Sequence, residues 1–120
     1  MYIAAEKSTP ANKVAIKVVK DDGYAEREIT ILSELTRYSH PNIVKLLDNY
    51  APQDGDDLHI CMRCLVLSLA RGPPLSHILK QRGALGFSIA QTISSQLVNA
   101  IAFLHGHGVI HRDIQPVSLV

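Results

Sequence analysis

Val14-Ala15-Ile16-Lys17-Val18-Val19 is a run of small and β-branched apolar residues interrupted by one cation. β-Branched side chains fit a pleated, extended chain, so the run predicts a strand. Its period of two places Val14, Ile16 and Val18 on one face and Ala15, Lys17 and Val19 on the other. A half-exposed strand with a solvated lysine is the plain reading of Lys17. The next segment offers another. After a turn at Lys20-Asp21-Asp22-Gly23, a helical pattern runs from about Tyr24 to Tyr38. At roughly 100° per residue, Ala25, Glu28, Ile29, Ile31, Leu32 and Leu35 fall in one arc, with Glu26, Arg27, Glu34 and Arg37 outside it. A carboxylate facing a core is costly unless it is paired. Lys17 is the nearest candidate partner, so the two misplaced charges explain each other as one ion pair.

Working outward, Tyr2 to Glu6 reads as a short strand and Lys7 to Asn12 as a turn. His40-Pro41-Asn42 stops the helix, and Ile43 to Leu47 reads as the next strand. Tyr50 to Asp57 reads as an exposed loop, Leu58 to Leu69 as a long apolar strand ended by Arg71-Gly72-Pro73-Pro74. Leu75, Ile78 and Leu79 suggest a short helix with prolines at its start, where a missing N–H costs little. After a linker from Gly83 to Gly86, Ser88-Ile89-Ala90-Gln91 spells a capping box that opens a longer helix. Ile89, Ile93, Leu97 and Ile101 repeat every four residues, which predicts a buried helix rather than a dimer seam. Gly106 and Gly108 end it, and Val117 to Val120 reads as the start of a further strand.

Composition excludes several classes of function. The 120 residues suffice for one small domain with a real core. A net charge of +1 gives no bulk electrostatic case for nucleic acid or an acidic membrane. No apolar run is long enough to span a bilayer, and no secretory signal opens the chain, so a cytoplasmic or nuclear location is expected. Cys61-Met62-Arg63-Cys64 is a C-x-x-C, but on a strand its two thiols point to opposite faces, and inert cysteines are expected. The six histidines show no ligand spacing on one helix face, and His105 and His107 read as parts of a solvated turn.

Four phrases together resemble protein kinases. Val14-Ala15-Ile16-Lys17 resembles their V-A-I-K strand, and Arg27-Glu28-Ile29 the glutamate of the following helix. His40-Pro41-Asn42-Ile43-Val44 is similar to the phrase after that helix, and His111-Arg112-Asp113-Ile114-Gln115-Pro116 to the catalytic loop. The resemblance covers nearly the whole chain, in order. It implies an α+β, kinase-like fold: an antiparallel N-lobe sheet with its helix over residues 1–70, and the first helices of the C-lobe over 71–120. It implies ATP, with magnesium, between these parts, and a protein substrate with a Ser/Thr acceptor. Lys17 would hold phosphates and Glu28 would aim Lys17. Ala15 would let adenine approach, Leu67 would be the gatekeeper, and Ser68 and Ala70 would offer backbone groups to adenine. Asp113 would orient the acceptor hydroxyl. His111 and Arg112 would be structural, with Arg112 a candidate partner for a phosphorylated residue.

The pattern also departs from the family. No G-x-G-x-x-G precedes Val14 and no D-F-G follows Asp113. Ser118 stands where the family carries its magnesium-binding Asn. Gln115 stands where Ser/Thr kinases carry a Lys, keeping a hydrogen-bond donor and losing a charge. His59-Ile60-Cys61 and Asp113-Ile114-Gln115-Pro116 are similar to SR-protein kinases, which would imply an Arg-Ser-rich substrate, although Arg112 departs from that subfamily. These departures predict a chain that does not transfer phosphate by itself. They leave open a non-catalytic, pseudokinase-like module and an incomplete coding sequence.

Overall fold

The central strand forms where the pattern places it. In the computed structural model, which describes residues 2–5, 13–51 and 62–120, β2 (Lys13–Lys20) pairs antiparallel with β1 (Tyr2–Ala5) on one side and β4 (Met62–Ser68) on the other. β3 (Leu46–Tyr50) completes the sheet in the order β1-β2-β4-β3. The turn expected over 7–12, the loop over 52–57 and the strand residues 58–61, with Cys61, lie outside the described residues.

β3 starts three residues later than the apolar run suggests. Ile43 N–H donates to His40 O, closing a turn, and the Lys45 amide donates to Ser68 Oγ rather than to a ladder. The strand instead continues through Asp48 and Asn49, poor strand formers that the ladder with β4 holds extended. An irregularity between Leu46 and Asp48 leaves Leu47 outside the register. Tyr50, read as loop, is the last residue of this strand.

α1 (Gly23–Tyr38) lies on the face of the sheet that carries Ala15 and Val19. Asp22 is its N-cap: Oδ1 accepts from the amides of Tyr24 and Ala25. Ala25 and Leu35 are buried, and Ile29 and Leu32 pack on the core of Ala15, Leu46, Leu65 and Leu67. The described residues form two compact units, one of Met1–Ser39 with Val44–Leu69, the other of His40–Ile43 with Ala70–Val120.

The second unit contains α2 (Leu75–Arg82) and α3 (Phe87–Gly106). No side chain caps α2. Its first amides donate to backbone carbonyls instead, Leu75 to Leu119 at 2.8 Å and Ser76 to Pro116 at 3.0 Å. These bonds hold 116–119 as an irregular segment, so the strand expected over Val117 to Val120 does not form. The capping box does not form either. α3 begins one residue before Ser88, with Gly86 at the cap and no side-chain bond, and the Ser88 carbonyl accepts from Thr92 Oγ1.

α3 buries only Ala100 and Leu104, so it is not the buried helix its periodicity suggests; Phe87 is 84% exposed and Val98 62%. By length and composition alone it is apolar enough to cross a membrane. The expectation that no apolar run is long enough to span a bilayer therefore does not hold for α3 by that measure, because Gln91, Ser94, Ser95 and Asn99 interrupt its apolar residues without adding charge. Near its end, the Phe103 ring stacks between His40 and His107, at centroid distances of 4.9 and 4.3 Å. His107 is therefore in a ring stack, not merely in a solvated turn.

Candidate functional site

In the first unit, the two misplaced charges meet. Lys17 Nζ donates to Glu28 Oε1 at 2.5 Å, with both side chains about one-third exposed. The meeting follows from two local periodicities. Alternation along β2 sends Lys17 to the face covered by α1, and the helical repeat from Ala25 to Leu35 carries Glu28 on the same arc. Ala15 and Leu67 are directly opposite each other on β2 and β4, and both are buried in the core.

Ser68, the last residue of β4, is held on both sides of its backbone. Its amide donates to Lys45 O and its Oγ accepts from the Lys45 amide, both at 2.9 Å. Its amide is therefore engaged, which leaves its carbonyl and its hydroxyl hydrogen for an added ligand. Ala70 is exposed and belongs to the second unit.

In that second unit the loop around Asp113 is closed by its own residues. His111 Nδ1 accepts from the Asp113 amide at 3.2 Å, and Arg112 takes a left-handed φ of 68°. A non-glycine residue there carries a strain of about 1–3 kcal/mol and persists only where its surroundings hold it. Gln115 Nε2 donates to Asp113 Oδ2 at 3.0 Å, and Ser118 Oγ donates to Asp113 O at 3.2 Å. The residues that depart from the family pattern are thus the residues that fasten Asp113.

Lys17 keeps hydrogen-bond donors free for an anionic group. An ammonium with three donors has two left for phosphate oxygens after Glu28 takes one. Magnesium is less well provided for. No group of three or more His, Cys, Asp or Glu side chains gathers among the described residues. Ser118 Oγ donates its hydrogen bond to Asp113 O, which leaves its oxygen lone pairs for a metal.

Sequence reasoning missed Arg63. Its guanidinium donates to both carboxylate oxygens of Asp21, at 3.0 and 3.1 Å from the same nitrogen, and to Asn49 Oδ1 at 3.3 Å. The signal was present, since Arg63 is a charge in an apolar strand just as Lys17 is. The C-x-x-C spelling around it drew attention to the thiols instead. Of these, Cys64 is free and buried.

Comparison with known proteins agrees with the motifs. A family model described as protein kinase domain matches residues 2–119. A serine/threonine-protein kinase, PkaA of Streptomyces coelicolor, is 34% identical over 98% of this chain and 21% of its own length. Calcium/calmodulin-dependent protein kinase type 1 of Macrobrachium nipponense is 29% identical over 98% of this chain and 33% of its own. The crystal structure of Rad53 1-466 in complex with AMP-PNP superposes with a TM-score of 0.81 at 27% identity, covering 98% of this chain and 30% of that one. The chain therefore spans about a fifth to a third of these relatives. With the protein kinase domain model matching nearly its whole length, the chain belongs to the protein kinase family.

Proposed function

We propose that these residues supply the phosphate-holding and acceptor-orienting parts of an ATP-dependent Ser/Thr protein kinase. The observation that carries the reading is the Lys17–Glu28 ion pair. Glu28 holds the ammonium in one place, so its remaining donors meet the α- and β-phosphates without reorganisation. The Ser68 carbonyl offers adenine a hydrogen bond, with Ala15 and Leu67 as the apolar residues beside it. Gln115 occupies Asp113 Oδ2, which leaves Oδ1 to accept from a Ser or Thr hydroxyl. Magnesium, when bound, neutralises phosphate charge, and Ser118 is the residue of this loop in position to contribute an oxygen. An Arg-Ser-rich acceptor is the finer reading, carried by the spelling of 113–116.

A non-catalytic, nucleotide-binding module is the second reading. It is favoured by the neutral Gln115 and by Ser118, which lower the positive charge and the ligand strength available to a transferring phosphate.

Titration of the 120-residue chain with a fluorescent ATP analogue tests the shared part of both. Lys17→Met should weaken binding about tenfold or more, the cost of one charge-assisted contact. Equal affinity of wild type and Lys17→Met would remove the nucleotide reading. Phosphate transfer to a Ser peptide by the chain, abolished by Asp113→Ala, would decide for the catalytic version.

A further inference from the structure

The turn between β2 and α1 is bolted to the sheet by a second ion pair, and we infer that the Arg63–Asp21 pair is a positioning device that sets the rotation of α1 and so delivers Glu28 to Lys17. The inference rests on reading Lys17 and Glu28 as the phosphate-holding pair.

Asp21 is the middle residue of a three-residue turn closed by the Asp22 amide donating to Lys20 O at 3.1 Å. That turn throws the Asp21 carboxylate toward β4, where Arg63 grips it through Nε and a terminal nitrogen. The same guanidinium reaches Asn49 on β3. Both side chains of the pair are 24% exposed, less than either Lys17 or Glu28, so it is the better-shielded bond of the two. One guanidinium thus ties together β4, β3 and the entrance to α1.

The next residue, Asp22, caps α1 by accepting from Tyr24 and Ala25. A helix is a stiff rod once its first turn is fixed. Glu28 lies six residues beyond the cap, about 9 Å along the axis at 1.5 Å per residue. A slip of one residue in that first turn rotates every later side chain by about 100° and takes Glu28 out of the core-facing arc. Anchored turn, cap and glutamate form one sequence of constraints, with Arg63 at its origin. An arginine suits this task better than a lysine, because its planar fork fixes direction as well as distance.

A zero-length carbodiimide reports the Lys17–Glu28 contact directly, by joining amine and carboxylate into an amide that mass spectrometry locates after digestion. No nucleotide is needed, so failure here is distinct from failure of nucleotide binding. The full chain should give the Lys17–Glu28 crosslink. Asp21→Asn and Arg63→Met should lower its yield about tenfold, the equilibrium value of one charge-assisted contact, with far-UV circular dichroism unchanged. Arg63→Lys keeps the charge without the fork and should give an intermediate yield; it carries the same comparison if the other two variants unfold. The exchanged pair, Asp21→Arg with Arg63→Asp, should recover the crosslink. An unchanged yield in the folded variants overturns the inference. So does a yield that falls only together with the helical signal, which would make the pair a scaffold bond alone.

Discussion

Replacing Lys17 with Met and Glu28 with Leu together is expected to leave the chain as stable as it is now, or slightly more so, while either change alone destabilises it. Both charged side chains are about one-third exposed, so water screens them and the full low-dielectric attraction does not apply. Their mutual coupling is then about 1 kcal/mol. Against it stands the cost of holding two ions against Ile29, Leu32 and Val19, which pack on the core. Removing one partner leaves the other charge, still partly hydrated, on that surface and should cost about 0.5–1 kcal/mol. Removing both returns the surface to apolar contact, and the two terms cancel to within about 1 kcal/mol. Urea unfolding of the four proteins at neutral pH and low salt gives the cycle, with the coupling read from the midpoints at constant slope. A double variant less stable than wild type by more than about 2 kcal/mol would refute the reasoning. The pair would then be a stabilising bond of the fold, and its charges would need no function to explain them.

Two further outcomes follow from neighbouring residues. Asp22→Ala removes the acceptor for two helix-start amides and should lower stability by about 1 kcal/mol in the same urea assay, whereas Asp22→Asn should recover most of it. Partial desolvation raises the Tyr50 phenol above its ordinary value, with Cys64 and Asp48 adding to the shift, though the side chain is still 44% exposed. The folded chain therefore holds this proton more tightly than the unfolded one. The associated stability is fully present below about pH 10 and is lost as pH rises through the higher folded value. Thermal melts between about pH 9 and 11 should fall less steeply for Tyr50→Phe than for wild type, and parallel curves would contradict the assignment.

The parts of the fold legible in the sequence were those governed by one-dimensional periodicity. Alternation located β2, and the 3.6-residue repeat located α1 to within a residue of its start. The ion pair was legible because each charge broke its own pattern at a place the other could reach. What escaped were features decided by partners distant in sequence. β3 runs through Asp48 and Asn49 because β4 holds it, a fact no local propensity carries. The start of α2 is satisfied by carbonyls forty or more residues ahead, at Pro116 and Leu119, so no side-chain cap was there to be recognised. α3 has the composition of a buried helix, yet these residues bury only two of its side chains. Periodicity states which face is apolar and does not state what covers it.

The loop after α3 shows the same limit in its chemistry. Read as letters, Gln115 and Ser118 are losses, one of a cation and one of an amide. Read as atoms, each gives a hydrogen to Asp113, one to its carboxylate and one to its carbonyl. With His111 accepting from the Asp113 amide, amide, carbonyl and carboxylate all have partners inside the loop. A left-handed Arg112 needs that closure, because its backbone strain has to be offset by fixed contacts on either side. Gln115 therefore brings no positive charge to the loop, while it and Ser118 hold Asp113 in place. That separation decides where any loss of activity would appear. On the reading proposed above, geometry governs the orientation of an acceptor hydroxyl, the part assigned to Asp113. Charge governs how far a phosphate is stabilised during transfer, and there a neutral amide does less than an ammonium. A chain with these residues should therefore be impaired at the transfer step rather than in presenting the acceptor.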